Sequence, residues 1–278
     1  MNNWIEQFQR SIDYMEDHLT DHLDAETIAK TAALSSFYYQ RIFTAMCGMT
    51  LAEYIRARRM TQAALELTSS DVRVIDLALK YGYDSPDSFT RAFQRFHGIT
   101  PSKARVTGAP LRSFAPLHVK VVLEGGKMLD YRITEKEPFT VVGFRRKFHT
   151  DTSYQEIPEF WKEWKHSGSP IKGMFGLCMD QDGNAFDYWI ADPYQPGTAV
   201  PEGCETVEIP GSLWAEFTCK GELPEALQTV NTEIWSKWLP TLRGYQLAGN
   251  YSLEVYTELP EAPEETISYI WIPLKNTD

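Results

Sequence analysis

Cysteine is sparse in this chain. Cys47, Cys178, Cys204 and Cys219 are the four in 278 residues, and no two form a C-x-x-C pair. That spacing argues against a disulfide framework or a zinc ribbon, and a reducing, cytoplasmic setting is expected. No apolar run approaches the ~20 residues of a membrane span. The opening Met1-Asn2-Asn3-Trp4 has neither a basic start nor an apolar stretch, so no secretory leader and no membrane partner are expected. No G-x-S-x-G, P-loop or G-x-G-x-x-G occurs, which removes the common hydrolase and nucleotide-binding signatures. Among the six histidines one helical i, i+4 pair stands out, His18/His22. It lies amid Asp17, Asp21 and Asp24 and reads as a solvated helix end sooner than as a metal site. No cofactor is expected. Lys and Arg, 27 in all, are outnumbered by 38 Asp and Glu, a net charge of −11, so the overall balance gives no hint of nucleic acid. What is present is apolar mass. At 43% hydrophobic the chain can fill two cores, and its length suits two domains at roughly 150 residues each.

The charge is unevenly spread. Residues 41–110 hold 10 Lys and Arg against 6 Asp and Glu, a net of +4, whereas residues 111–278 hold 15 against 25. A basic stretch inside an acidic protein is informative, although a solvated helix face produces the same count. The texture changes near residue 110. Before it, apolar residues recur at helical spacing, as in Trp4, Ile5, Phe8, Ile12, Met15 and Leu19. After it, β-branched and aromatic runs alternate with Gly and Pro. Val119–Leu123, Phe139–Phe144, Tyr188–Ile190, Leu213–Phe217, Leu253–Thr257 and Thr266–Ile272 read as strands. The expected division is a first domain over 1–107, a linker over 108–126 containing Pro110, Pro116 and the turn Gly125-Gly126, and a second domain over 127–278.

The first half repeats itself. Arg41-Ile42-Phe43 followed by Gly48-Met49-Thr50 matches Arg91-Ala92-Phe93 followed by Gly98-Ile99-Thr100, and Ile28-Ala29 matches Leu77-Ala78. Each copy reads as a short helix, a tight turn and a second helix. In the second copy Asp71 is placed to cap a helix over Val72–Lys80. Gly82 supplies the turn, and Ser85 caps the next helix with Pro86 at its first position. In the first copy Ala33 holds the turn position where glycine is common. Leu51 to about Thr68 reads as one long helix that sets the spacing of the two units.

These residues, with Tyr54-Ile55-Arg56-Ala57-Arg58-Arg59 and Ser88-Phe89-Thr90-Arg91-Ala92-Phe93 through Pro101, give residues 5–106 a close resemblance to the DNA-binding domain of AraC/XylS-family transcription regulators. Placing that domain first in the chain is the Rob-type arrangement. The resemblance implies an all-α domain with two helix-turn-helix units, each inserting its second helix in a major groove. Its partners would be double-stranded promoter DNA and RNA polymerase. The implied base-edge face is Ser36, Phe37, Tyr38, Gln40 and Arg41 in the first unit, and Ser85, Asp87, Ser88, Thr90 and Arg91 in the second. Gln suits adenine, Arg suits guanine, and Phe37 suits a thymine methyl. Arg58, Arg59 and Arg95, with Lys30, Arg73 and Lys103, are assigned to phosphates. Helix capping explains Ser36, Ser85 and Ser88 equally well.

The second half repeats as well. Trp161-x-x-Trp164 recurs as Trp235-x-x-Trp238, on expected helices Ser153–His166 and Pro224–Trp238. Each helix follows a strand, Thr140–Phe148 or Leu213–Lys220. Each precedes a strand pair, Phe175–Asp180 with Phe186–Ala191 or Gln246–Ala248 with Ser252–Glu258. The result is a tandem βαββ domain of α+β class. Over about 127–276 it resembles GyrI-like effector-binding domains, which implies a small-molecule effector held in a cleft between the repeats. The resemblance places Glu254 at the cleft floor, where a carboxylate suits an aromatic or lipophilic cation. Trp161, Trp164, Tyr188, Trp214, Tyr256 and Tyr269 are candidate walls, because aromatic faces attract cations. Core packing explains any one of these tryptophans equally well.

The expected function is ligand-responsive transcription regulation without enzymatic activity. The alternative is a GyrI-like hydrolase or detoxifying activity, with Glu254 as general acid/base helped by Tyr188 or Tyr256.

Overall fold

The computed structural model describes residues 4–106, 108–119, 128–149, 152–180, 185–257 and 263–277. The chain divides into two compact units. One is Met1–Gln40 with Met49–Leu123, the other Arg41–Gly48 with Glu124–Asp278.

The helices come first: α1 Trp4–Asp17, α2 Ala25–Thr31, α3 Ser36–Cys47, α4 Leu51–Ser69, α5 Val74–Lys80, α6 Pro86–His97 and α7 Pro101–Ala104. The stripe expected on α1 buries Phe8, Ile12 and Met15. Asp24 caps α2 through the Thr27 amide. Thr50 and Glu53 form a reciprocal capping box at the start of α4, worth about 1 kcal/mol. The two helix-turn-helix turns close alike, by Leu34 N–H to Ala29 O at 3.1 Å and Tyr83 N–H to Ala78 O at 2.8 Å. The left-handed residue is Gly82 in the second (φ 78°) and Ala33 in the first (φ 56°). The first turn therefore keeps the geometry of the second despite the alanine's strain. Ser85 caps α6 with Pro86 in the first turn, as expected. Asp71 caps nothing. Helix α5 starts at Val74 with Arg73 at the cap position and no side-chain cap bond, so the sequence expectation began the helix two residues early. Met60, Ala63 and Leu67 of α4 meet Leu77 and Ala78 of α5 and Phe89 and Phe93 of α6 in one buried core.

The second unit is a sheet with helices. Its elements are β1 Tyr131–Lys136, β2 Phe139–His149, α8 Ser153–His166, β3 Phe175–Asp180, β4 Ala185–Pro193, β5 Glu205–Ile209, β6 Ser212–Lys220, α9 Glu225–Glu233, β7 Tyr245–Leu247, β8 Tyr251–Tyr256 and β9 Ile267–Asn276. A π-helical turn, Ile234–Trp238, continues α9. The antiparallel order is β1-β6-β9-β8-β3-β4-β2-β5, with β7 paired to β9. The duplication is visible in that order, since β5-β2-β4-β3 mirrors β1-β6-β9-β8. The leading strand of each repeat lies against the other repeat: β1 pairs with β6 and β5 with β2. Leu177 faces Leu253 at the centre, so a two-fold rotation about that pair brings Cys178 onto Glu254.

Two strand expectations change. The second repeat's strand pair is β8 with β9, because β7 pairs with β9 and not with β8. Strands β1 and β5, absent from the sequence reading, are short, charged edges, and edge strands lack the apolar alternation on which that reading depends. The expected strand Val119–Leu123 lies, beyond Val119, outside the described residues, as does Gly125-Gly126. Phe139 of β2 comes within 6.4 Å of Trp214 of β6, ring to ring, although four strands separate them in the sheet. The sheet therefore curls, and its concave face holds Val141, Leu177, Trp189, Trp214 and Leu253.

Candidate nucleic-acid interface and ligand site

Helix α6 separates its faces by charge. Phe89, Phe93 and His97 point inward, each four residues from the next. Asp87, Arg91 and Arg95, two residues out of phase, are exposed. Among the described residues no ion pair holds Arg91 or Arg95, so both guanidinium groups are available to an anion or a base edge. Thr90 is half-buried beside them. Ser85 and Ser88 are committed to the cap: Ser88 N–H donates to Ser85 Oγ at 3.2 Å, and Ser88 O–H to Ser85 O at 2.8 Å. Gln94, three residues after Arg91, is exposed on the same helix and was missed. Its i+3 spacing from Arg91 was the available signal.

Helix α3 differs. Ser36, Phe37, Tyr38 and Gln40 are buried, and Arg41 is half-buried. Gln40 donates to Ser36 Oγ at 3.2 Å, and the Phe37 and Tyr38 rings meet edge to face. The helix is mixed in character: Phe37, Tyr38, Tyr39, Ile42 and Phe43 are apolar, while Ser36, Gln40 and Thr44 recur every four residues beside Arg41.

Two of the arginines assigned to phosphates are structural. The Arg58 side chain is 5% exposed and pairs with Glu16, its Nη2 at 2.6 Å from Oε2. Arg59 donates to the carbonyls of Leu19 and Asp21, both at 2.8 Å. Burial draws the Arg59 pKa down, although the group remains charged. Lys30 pairs with Glu26 and Arg73 with Asp76 on the surface. A run of arginines on one long helix samples every face, and only tertiary packing decides which face is wet.

On the helix-covered side of the sheet lies a polar cluster walled by aromatics. Glu254 of β8 is half-buried, and its Oε2 accepts from Tyr188 Oη at 2.7 Å and Tyr256 Oη at 2.8 Å. Trp161 Nε1–H donates to Tyr188 Oη at 2.9 Å. Burial, reinforced by the Glu254 charge, pushes both phenols well above their ordinary value, so they stay neutral donors. Among the described residues Oε1 accepts no hydrogen bond. The Trp161 ring stands edge to face against Tyr256 at 4.9 Å and Trp164 at 5.4 Å. The buried Trp164 Nε1 has no partner among the described residues. Two glycines that the sequence reading missed make room. A Cβ on Gly176, directly opposite Glu254, would collide with the Tyr188 hydroxyl and come within 2.7 Å of Glu254 Oε2. A Cβ on Gly173 would fall 2.9 Å from Trp161. The repeat-related floor position is Cys178, whose thiol burial pushes up to about 11, so the floor carries charge on one side only. Trp235, counterpart of Trp161, donates within its own helix to Asn231 at 2.8 Å.

Trp214 and Tyr269 do not join this cluster. Tyr269 faces Val255 in register, one residue out of phase with Glu254, and so points to the opposite face. Trp214, fully buried, packs in the concave core against Tyr251 and Trp271. The same face holds Glu216, 2% exposed, bound by Arg132 Nε and Lys136 Nζ, each at 2.6 Å, and by Thr134. Burial raises the Glu216 carboxyl, but these bonds more than offset it and leave it below its ordinary value.

Comparison with known proteins matches both halves. A helix-turn-helix domain profile covers residues 28–106, and the profile described as "Integron-associated effector binding protein" covers 132–274. The uncharacterized HTH-type transcriptional regulator YbfP of Bacillus subtilis is 38% identical, over 81% of this chain and 91% of that protein. The transcriptional regulator Rob of Salmonella typhimurium is 26% identical, over 82% of this chain and 83% of its own length. Among solved structures, SAV2435 bound to tetraphenylphosphonium covers 52% of this chain and 94% of its own, with 20% identity and a TM-score of 0.46.

Proposed function

Because the chain belongs to the AraC-type helix-turn-helix transcription regulators that carry a C-terminal effector-binding domain, we propose that its effector is an aromatic, lipophilic cation bound over Glu254. DNA binding is the work of residues 28–106, and the relatives are transcription regulators rather than enzymes. One observation carries the effector class. A single carboxylate, with one oxygen fixed by two neutral phenols and the other open, sits against tryptophan faces. Aromatic faces add cation–π attraction to the Coulomb term. The relatives' role as transcription regulators favours this reading over a hydrolytic one.

On DNA, Arg91 and Thr90 read base edges, Arg95 contacts phosphate, and Asp87 accepts from a cytosine amino group. The α3 face containing Gln40 and Arg41 supplies the other reading position. A cytoplasmic location and contact with RNA polymerase on a promoter follow from this role.

The test is calorimetric titration of the full chain with N-benzylquinolinium and with its uncharged carbon isostere, benzylnaphthalene. The cation is expected to bind at least tenfold more tightly. Equal affinities would remove charge recognition from the site.

A further inference from the structure

The segment after α7 contains Pro110 and Pro116, forms no helix or strand, and reads as a tether in the sequence. Its backbone is nevertheless taken up, residue after residue, by side chains of the DNA-binding unit. Arg112 N–H donates to His97 Nδ1 at 3.2 Å, and Phe114 N–H to Thr61 Oγ1 at 3.0 Å. Phe114 O accepts from the Arg58 guanidinium. Leu117 N–H donates to Tyr54 Oη at 3.3 Å and Val119 N–H to Gln9 Oε1 at 2.8 Å. The Phe114 ring stands edge to face on Tyr54 at 6.0 Å. A passive linker leaves its amides to water; here four amides and a carbonyl have side-chain partners.

The receiving groups are themselves held in place. Glu16 accepts from Arg58 and, at 2.7 Å, from the Tyr54 hydroxyl, which leaves the Tyr54 oxygen to accept from Leu117. His97 Nε2 lies 3.1 Å from Met60 O. Donation there fixes the tautomer and makes Nδ1 the acceptor that Arg112 needs. His97 ends the second reading helix α6, and Tyr54, Arg58 and Thr61 line the spacer α4 that separates the two readers.

We propose that residues 110–119 are a seated strap that belongs to the DNA-binding unit. Seated, it braces the spacer against the second reader; released, it loosens that pair and weakens DNA binding. Neither function requires the effector reading.

The test uses the full chain and hydrogen–deuterium exchange of the peptide covering 111–119, with affinity for a duplex selected from a random pool. In the native protein this peptide is expected to exchange at least tenfold more slowly than an unstructured reference. Tyr54→Phe with Thr61→Val is expected to raise its exchange about tenfold, to leave exchange of 86–97 unchanged, and to weaken the duplex several-fold. Gln9→Met, a change on the partly exposed side of α1, should free the Val119 amide alone and serves if the double variant does not fold. Exchange of 111–119 at the unstructured rate in the native protein would overturn the strap. Faster exchange with unchanged duplex affinity would overturn its bracing role.

Discussion

Replacing Glu254 by Gln removes a charge and preserves shape, so its effect isolates the Coulomb contribution to effector binding. A cation seated against the aromatic walls is taken to have its centre about 5 Å from the open Oε1, within the range of a cation–π contact. At that separation and an effective dielectric of about 20, the attraction is about 3 kcal/mol. Glu254 is half-buried, so solvent takes part of this, leaving about 1.5–2.5 kcal/mol. The amide keeps an oxygen for Tyr188 and Tyr256, and the cation–π contribution from Trp161 is unaffected. N-benzylquinolinium is therefore expected to bind about 10- to 70-fold more weakly to the variant. Benzylnaphthalene, which has no charge to lose, should change less than about threefold. Quenching of tryptophan emission reads both titrations, because Trp161 and Trp164 flank the site. Equal weakening of the two probes would show that the substitution disturbed packing rather than charge. Unchanged binding of the cation would place the effector elsewhere.

Arg91→Ala should cost about 1–3 kcal/mol of specific duplex binding and relax preference at one base pair, read by anisotropy against a set of point-changed duplexes. A uniform loss across all duplexes would instead assign it to phosphate. Arg58→Ala removes the ionic partner of Glu16, which keeps only the Tyr54 hydroxyl, and the donor to the Phe114 carbonyl. It should lower stability by about 2–4 kcal/mol in thermal unfolding while leaving the salt slope of DNA binding unchanged; a reduced slope with unchanged melting would return Arg58 to the DNA. Gly176→Ala puts a methyl against Glu254 and Tyr188 and should weaken N-benzylquinolinium more than tenfold with the circular dichroism spectrum retained. Retained affinity would mean that the two side chains move freely. Glu216, held below its ordinary value of 4.5, contributes stability that is present above about pH 4.5 and lost as pH falls through the folded-state value. Glu216→Gln should be less stable by about 2–3 kcal/mol at pH 7 and less sensitive to acid than the native protein, and an identical acid profile would exclude the carboxylate as the source.

Duplication was the most legible feature of both halves, because a repeat is a comparison of the chain with itself and needs no tertiary information. The offset of Arg41 and Arg91 located α3 and α6, and the Trp-x-x-Trp pairs located α8 and the helix running from α9 into the π turn. Burial was less legible. Arg58 and Arg59 are neighbours in a basic run, yet one meets Glu16, more than forty residues away, and the other meets the carbonyls of Leu19 and Asp21. No local pattern announces such partners.

The site shows the same limit more sharply. Alternation along β8 correctly sets Glu254 opposite Leu253 and Val255, but alternation within one strand says nothing of its phase against the next. That phase is fixed by register: Val255 with Tyr269 and Glu254 with Ile270. One step in register reassigns every wall residue of β9, which is why Tyr269 was placed on the wrong face while Tyr188 was not. The asymmetry of the floor follows from the same geometry. The rotation that relates the repeats superposes Cys178 on Glu254, so a duplicated frame carries one ionised group where symmetry would allow two. A second carboxylate beside the first would raise the pKa of one of them and favour a shared proton. With a thiol at that position the floor has one carboxylate, and the proposed cation site is expected to bind a monocation more tightly than a dication of the same shape, read by the same titration.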